Sequence, residues 1–277
     1  MNRIGICVFS GTGNTDKCAK ALSAALADRG FSCALHAIKD GTETAAERDL
    51  VICYPVYGFN APMSVIRFCR SLPAGDGNIW FLKTSGEPLK LNDNSSAELI
   101  RIITKKGYRT MGEFHFIMPY NMVFRHTDEM ASLMWETARR RIPAAADTIA
   151  EGKAMPIRAP FRAKAVSALC RIEHGFYPLN GRLFRADEKR CVRCMKCVRD
   201  CPVNNIRAEE GRLRFGKNCA GCMRCSFSCP SDAIRIGLLD FMRVNGPYDF
   251  SRDPGKAEIG RFCRKAYRRY FSEEKRP

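Results

Sequence analysis

No apolar run in the chain approaches the roughly 18 residues a membrane-crossing helix requires. The N-terminal apolar stretch turns polar and glycine-rich after Ser10, where a secretion signal would continue apolar. No membrane span and a cytoplasmic location are therefore the expectations. Histidine is scarce, and the four present (His36, His115, His126 and His174) share no metal-pair spacing. They read as structural residues, with His126 the one placed to line a pocket. A Gly-Lys-Ser/Thr triplet is missing throughout, which argues against a lysine-bearing triphosphate loop. Acidic residues are short in the second half: of the net charge of +17, residues 1–150 carry +3 and residues 151–277 carry +14. Such a field steers acidic proteins, nucleic acid or anionic headgroups toward that half.

Cysteine, by contrast, is abundant. Fifteen cysteines in 277 residues would mean disulfides in a short secreted chain; in a longer chain without a signal they read as thiolate metal ligands. The length and a 45% hydrophobic content leave room for about two domains.

Apolar or β-branched runs at 3–10, 31–38, 49–55, 78–84 and 112–119 predict five strands. Helix-like stretches at 15–29, 61–72, 94–106 and 127–142 alternate with them, the last expected to stop before Pro143. This alternation implies a parallel sheet covered on both faces. Between the first strand and the first helix lies Ser10-Gly11-Thr12-Gly13-Asn14-Thr15. Backbone N–H groups at a helix start, backed by the helix dipole, bind phosphate. A dinucleotide fingerprint would need a third glycine where Asp16 stands, although Asp40 is available as a ribose acid. The three hydroxyls of Ser10, Thr12 and Thr15 suit one terminal phosphate monoester.

Ser-x-Thr-Gly-x-Thr after the first strand resembles the phosphate loop of flavodoxins, over roughly residues 1–150. That resemblance implies an α/β flavodoxin-like doubly wound sheet of strand order 2-1-3-4-5 with FMN at the β1/β3 switch point. The ring would then sit between the loop after the third strand, with Tyr57, Gly58, Phe59 and Asn60, and the loop after the fourth, with Thr84, Ser85, Gly86 and Glu87. Tyr57 and then Phe59 are the expected stacking partners, Tyr54 is expected in the core, and Tyr120 and Asn121 lie within reach.

Farther along, Cys191, Cys194, Cys197 and Cys201 form C-x2-C-x2-C-x3-C-P, and Cys219, Cys222, Cys225 and Cys229 repeat it at an offset of 28 residues. Met195 and Met223, Pro202 and Pro230, and Ile206-Arg207 and Ile234-Arg235 recur at the same offset, so one supersecondary unit is duplicated. Four-cysteine zinc sites are the competing reading, but zinc usually takes two separated pairs. Three close cysteines plus a remote fourth suit a cubic iron–sulfur cluster. The run resembles bacterial two-cluster ferredoxins, over about residues 187–238. In that family the fourth cysteine of each run serves the other cluster. One 4Fe-4S cluster would thus take Cys191, Cys194, Cys197 and Cys229, and the other Cys219, Cys222, Cys225 and Cys201. Cys7, Cys18, Cys33, Cys53, Cys69, Cys170 and Cys263 receive no catalytic role.

Residues 151–186 read as a linker with an amphipathic stretch at 161–174, expected to pack one domain on the other, with a membrane-surface role as the alternative. Residues 239–277 form a basic tail whose arginines and aromatics (261–271) fit either nucleic-acid stacking or a solvated face with its rings tucked inward. The whole arrangement resembles the flavodoxin-ferredoxin fusion proteins of anaerobic bacteria, sometimes called ferrodoxins. The resemblance implies FMN, two 4Fe-4S clusters and electron transfer, with two such clusters and a phosphate lowering the net charge to about +11. An acidic redox protein is the expected partner, no nucleic acid is expected, and reduction of a small organic substrate is the alternative activity.

Overall fold

The computed structural model describes residues 3–41 and 45–272. Five strands, β1 (Arg3–Val8), β2 (Ser32–Ala37), β3 (Asp49–Pro55), β4 (Asn78–Ser85) and β5 (Arg109–Ile117), form one sheet in the order β2-β1-β3-β4-β5 with every neighbour parallel. In β3 the five residues Leu50 to Tyr54 are all buried, as a strand covered on both faces requires. Helices α1 (Asn14–Ala27) and α4 (Asp128–Ala150) cover one face through Leu22, Leu26, Ala138 and Ile142. Helices α2 (Met63–Ser71) and α3 (Ala97–Lys105) cover the other through Val65, Ile66, Leu99 and Ile103. The strand order changes direction between β1 and β3, so their carboxyl ends open a crevice there.

Contrary to the expected stop before Pro143, α4 continues to Ala150. Its apolar stripe runs on through Ala145, Ala146 and Ile149, all buried with α1 in the same core. Packing along that stripe offsets the backbone hydrogen bond that proline cannot donate.

The segment after α4 forms two helices, α5 (Phe161–Cys170) and α6 (Glu173–Gly181), which separate at Arg171 and Ile172. A small unit follows. Strand β6 (Phe184–Ala186) pairs antiparallel with β9 (Ile234–Ile236), enclosing helix α7 (Lys196–Arg199), the hairpin β7 (Ile206–Glu209) and β8 (Arg212–Phe215), and helix α8 (Arg224–Phe227). Ile206, Ile234 and Ile236 are buried in it, and Leu213 and Phe215 half-buried. The duplication extends to the backbone: Arg193 and Gly221, Met195 and Met223, and Asn204 and Asp232 share left-handed dihedrals 28 residues apart. Likewise Asn205 N–H donates to Cys201 Sγ and Ala233 N–H to Cys229 Sγ, each at 3.2 Å.

The chain then returns to the first unit. Helix α9 (Arg264–Ser272) tucks Tyr267 and Tyr270 inward, Tyr267 donating to the Gly86 carbonyl and Tyr270 accepting from Ile117 N–H. No described helix is long and apolar enough to cross a membrane.

Candidate cofactor sites

The loop between β1 and α1 is built to present N–H groups. Gly13, at φ 102°, turns the chain into α1, and no side chain caps the helix start. That left-handed conformation favours glycine, and a Cβ there would meet open space. Ser10 Oγ accepts from Gly13 N–H (3.1 Å), and the buried Thr15 hydroxyl meets that of Thr84 (2.8 Å). The Thr12 side chain makes no hydrogen bond among the described residues. Uncapped N–H groups flanked by hydroxyls form a donor set that fits a bound anion.

A cavity of about 260 Å³ opens beside this loop at the carboxyl ends of β1, β3, β4 and β5. Tyr57, Gly58 and Phe59 line one side. Tyr57 and Asn60 exchange backbone hydrogen bonds at 2.9 and 2.8 Å, closing a two-residue turn with both Gly58 (φ 49°) and Phe59 (φ 60°) left-handed. Holding Phe59 in that conformation costs energy, as is common at functional sites. Asn60, by contrast, turns away and spends its amide on the Gly58 and Ser167 carbonyls. Tyr54 is fully buried in the core.

Thr84, Ser85, Gly86 and Glu87 line the opposite wall, pinned by Ser85 Oγ to the Glu87 carbonyl and to His115 (each 2.8 Å). Tyr120 and Asn121 also reach the cavity, whereas His126 stacks one layer behind on the Tyr120 ring (5.4 Å between centroids, 8° between planes).

Two polar groups that the sequence did not single out join the site here. Glu173 and Tyr177 enter from α6, the phenol donating to the carboxylate at 2.9 Å, and Tyr120 donates to Glu87 across the cavity. Burial raises both carboxyls above the ordinary range. The Tyr57 hydroxyl is buried without a hydrogen-bond partner. Its burial, with the nearby Cys222 and Tyr177, pushes its pKa well up.

The cysteines fall into two groups. Cys191, Cys194, Cys197 and Cys229, with Cys225, line a cavity of about 490 Å³. Cys201, Cys219, Cys222 and Cys225 line a second, much smaller one of about 20 Å³. Each expected set of four is thus brought together, and thiols are donors that suit iron–sulfur clusters. Among the described residues no three His, Cys, Asp or Glu side chains converge on a single-ion position. Burial pushes the Cys219 thiol up to about 12. Cys7, Cys18, Cys53 and Cys69 are instead buried in the sheet cores, where burial pushes Cys7 and Cys18 up to about 12 as well.

The smaller cysteine cavity abuts the anion loop. Gly11 lies so near the Cys222 carbonyl that a Cβ would collide with it. Arg224, beside Cys225, donates through Nε to the Gly11 carbonyl (3.0 Å), through Nη2 to the Ser10 carbonyl and through Nη1 to the Asp200 carbonyl (2.8 Å).

Residues 184–207, which contain the first cysteine run, match the 4Fe-4S binding domain family. Among solved structures the chain is similar to a flavodoxin of Streptococcus pneumonia TIGR4 (13% identity, 54% of this chain and 97% of that one, TM-score 0.39). It is also similar to the two-electron reduced flavodoxin of Megasphaera elsdenii (17%, 52% and 98%, 0.36) and to an NADH:FMN oxidoreductase in its apo form (14%, 56% and 92%, 0.43). A comparison with curated proteins finds no match. By its strand order the first unit is a flavodoxin-like α/β fold. The chain joins that fold to a ferredoxin-type 4Fe-4S binding domain.

Proposed function

We propose that the protein is an electron-transfer iron–sulfur flavoprotein, relaying single electrons between a redox partner and FMN through two 4Fe-4S clusters. The observation that carries this reading is the contact of the anion loop with the second cysteine run, Gly11 against Cys222 and Arg224 across both. FMN, when bound, exchanges one or two electrons, and each cluster exchanges one. The chain's own residues supply placement. The N–H groups and hydroxyls of Ser10 to Thr15 take the phosphate, Tyr57 and Phe59 flank the ring, and Thr84 to Gly86 meet its polar edge. Cys191, Cys194, Cys197 and Cys229 hold the outer cluster, and Cys201, Cys219, Cys222 and Cys225 the inner one.

The outer cavity carries Arg185, Arg193, Lys196, Arg212 and Arg214 on its lining, with Val192 largely exposed at its mouth. An acidic one-electron carrier fits that rim, since complementary charge speeds encounter. Anaerobic purification followed by iron, sulfide and flavin analysis tests the core of the proposal. About eight irons and one FMN per chain are expected. One or two zinc ions in place of iron and sulfide overturn it. Reduction by an acidic ferredoxin should slow as salt rises, and salt-insensitive reduction counts against the docking face.

The convergence of Tyr57, Glu87, Tyr120, Glu173 and Tyr177 on one cavity favours a second reading, reduction of a small organic substrate beside the flavin. Replacing Glu173 with Gln separates the two. A reductase loses turnover of an organic acceptor, while a pure relay keeps its rate of electron exchange with the protein partner.

A further inference from the structure

The helices joining the two units bury small residues and expose large ones. In α5, Ala163 and Ser167 face inward, Ser167 Oγ donating to Asn60 Oδ1 at 2.8 Å, while Phe161 and Leu169 are left outside. Ile172, at the joint between the two helices, Leu179 in α6 and Leu183 just beyond it are exposed as well. The turn after β9 brings Leu238 and Phe241 beside them, because Leu238 N–H donates to Asn180 Oδ1 (2.8 Å) and Asn180 Nδ2 to the Ile236 carbonyl (3.0 Å). These seven side chains are between 51% and 83% exposed and are most of the large apolar groups that the described residues leave in water.

The charge on this segment has one sign. Residues 152–186 carry seven Lys or Arg and a single acid, Glu173, which is turned into the cavity toward Tyr177. Among the described residues only Arg171 of the seven meets a carboxylate, Glu98 at 4.0 Å. Large apolar groups left exposed amid charge of one sign mark an interaction surface. The side chains line none of the cavities described above, so they offer a protein partner no pocket for an anchoring residue. A second copy would set this positive segment against its like. A fluid anionic surface answers both features: apolar tips enter the boundary between headgroups and acyl chains, and basic groups meet lipid phosphates.

We infer that α5, α6 and the turn after β9 seat the protein on anionic phospholipid membranes, lying on the surface without crossing it. The test is sedimentation of the full chain, purified anaerobically with its cofactors, with vesicles of phosphatidylcholine alone or mixed with phosphatidylglycerol. Partition is expected to rise about tenfold or more with phosphatidylglycerol, to fall at high salt, and to fall at least about tenfold in Ile172→Glu/Leu179→Glu. Replacing Arg162, Lys164 and Arg182 by Gln should remove only the phosphatidylglycerol-dependent part. Both variants alter exposed positions, so unchanged iron and flavin contents verify the fold. Equal partition on the two vesicles, or partition unmoved by the double variant, overturns the inference. So does a concentration-dependent dimer that the double variant dissolves, which would assign the face to a second copy.

Discussion

Replacing Arg224 with Ala removes the side chain that ties the anion loop to the inner cysteine run. Its guanidinium holds the Ser10 and Gly11 carbonyls outward, and the helix-start N–H groups then face the anion. A hydrogen bond from a charged donor contributes roughly 1.5–3 kcal/mol. Arg224 is half-buried, so the lower end of that range applies to each of the two bonds. Part of the lost order is recovered as the loop relaxes, which leaves a cost of about 1.5–3 kcal/mol, or roughly 10- to 100-fold in FMN affinity. Arg224→Lys keeps the charge but not the planar fork and should recover only part of the loss. Titration of flavin-depleted protein with FMN, read by fluorescence quenching, measures the effect, with iron and sulfide contents as the control. FMN affinity within about threefold of the parent in an iron-replete Arg224→Ala protein would refute the reasoning.

Thr12→Ala and Thr15→Ala should weaken FMN retention while sparing iron, and unchanged flavin content would count against the loop. Tyr267→Phe strands the Gly86 carbonyl, buried beneath α9, and should cost about 1–3 kcal/mol in urea unfolding; a loss below the error of the midpoint argues that the bond adds nothing. Burial, with Lys83 nearby, holds His115 down to about 3 from its ordinary 6.5, so the fold keeps it neutral. The unfolded chain binds the extra proton between those values. Stability is therefore full above about 6.5 and falls as the pH drops toward 3. His115→Gln should flatten that slope, and an unchanged slope assigns acid sensitivity elsewhere. Cys201→Ala should remove iron from the inner set alone, leaving about half; loss of outer-set iron instead would reverse the crossed assignment.

The sheet was legible because a strand buried on both faces must be apolar along its length, which residues 50–54 show in the sequence itself. The cysteine sets were legible because a ligand's spacing is local, three of every four lying within seven residues. Pro143 misled because a helix rule carries no knowledge of α1 packed alongside. Glu173 was illegible for a related reason. It lies over a hundred residues from Gly58, and only the fold sets its carboxyl against that glycine. Arg224 was one basic residue among many until the loop it grips was placed beside it. Asn60 belonged to an aromatic loop by sequence, yet its amide was needed to anchor α5.

The two cysteine runs share ligand spacing and backbone dihedrals, yet differ in the residues between the ligands and in what packs against them. At the first left-handed position the first run has Arg193 (φ 52°) and the second Gly221 (φ 66°). A Cβ at Gly221 would stand 2.5 Å from the Tyr177 ring, so a side chain there would force Tyr177 to shift. With glycine, Tyr177 closes over the inner run and reaches the cavity beside the anion loop. At the equivalent place in the outer run nothing packs so closely. The side chain can be long and charged, and it joins the basic rim. The two copies thus differ at this position, one presenting an exposed arginine and the other a glycine against a buried ring. Under the proposed relay, that asymmetry would separate the end that meets the partner from the end that meets the flavin site.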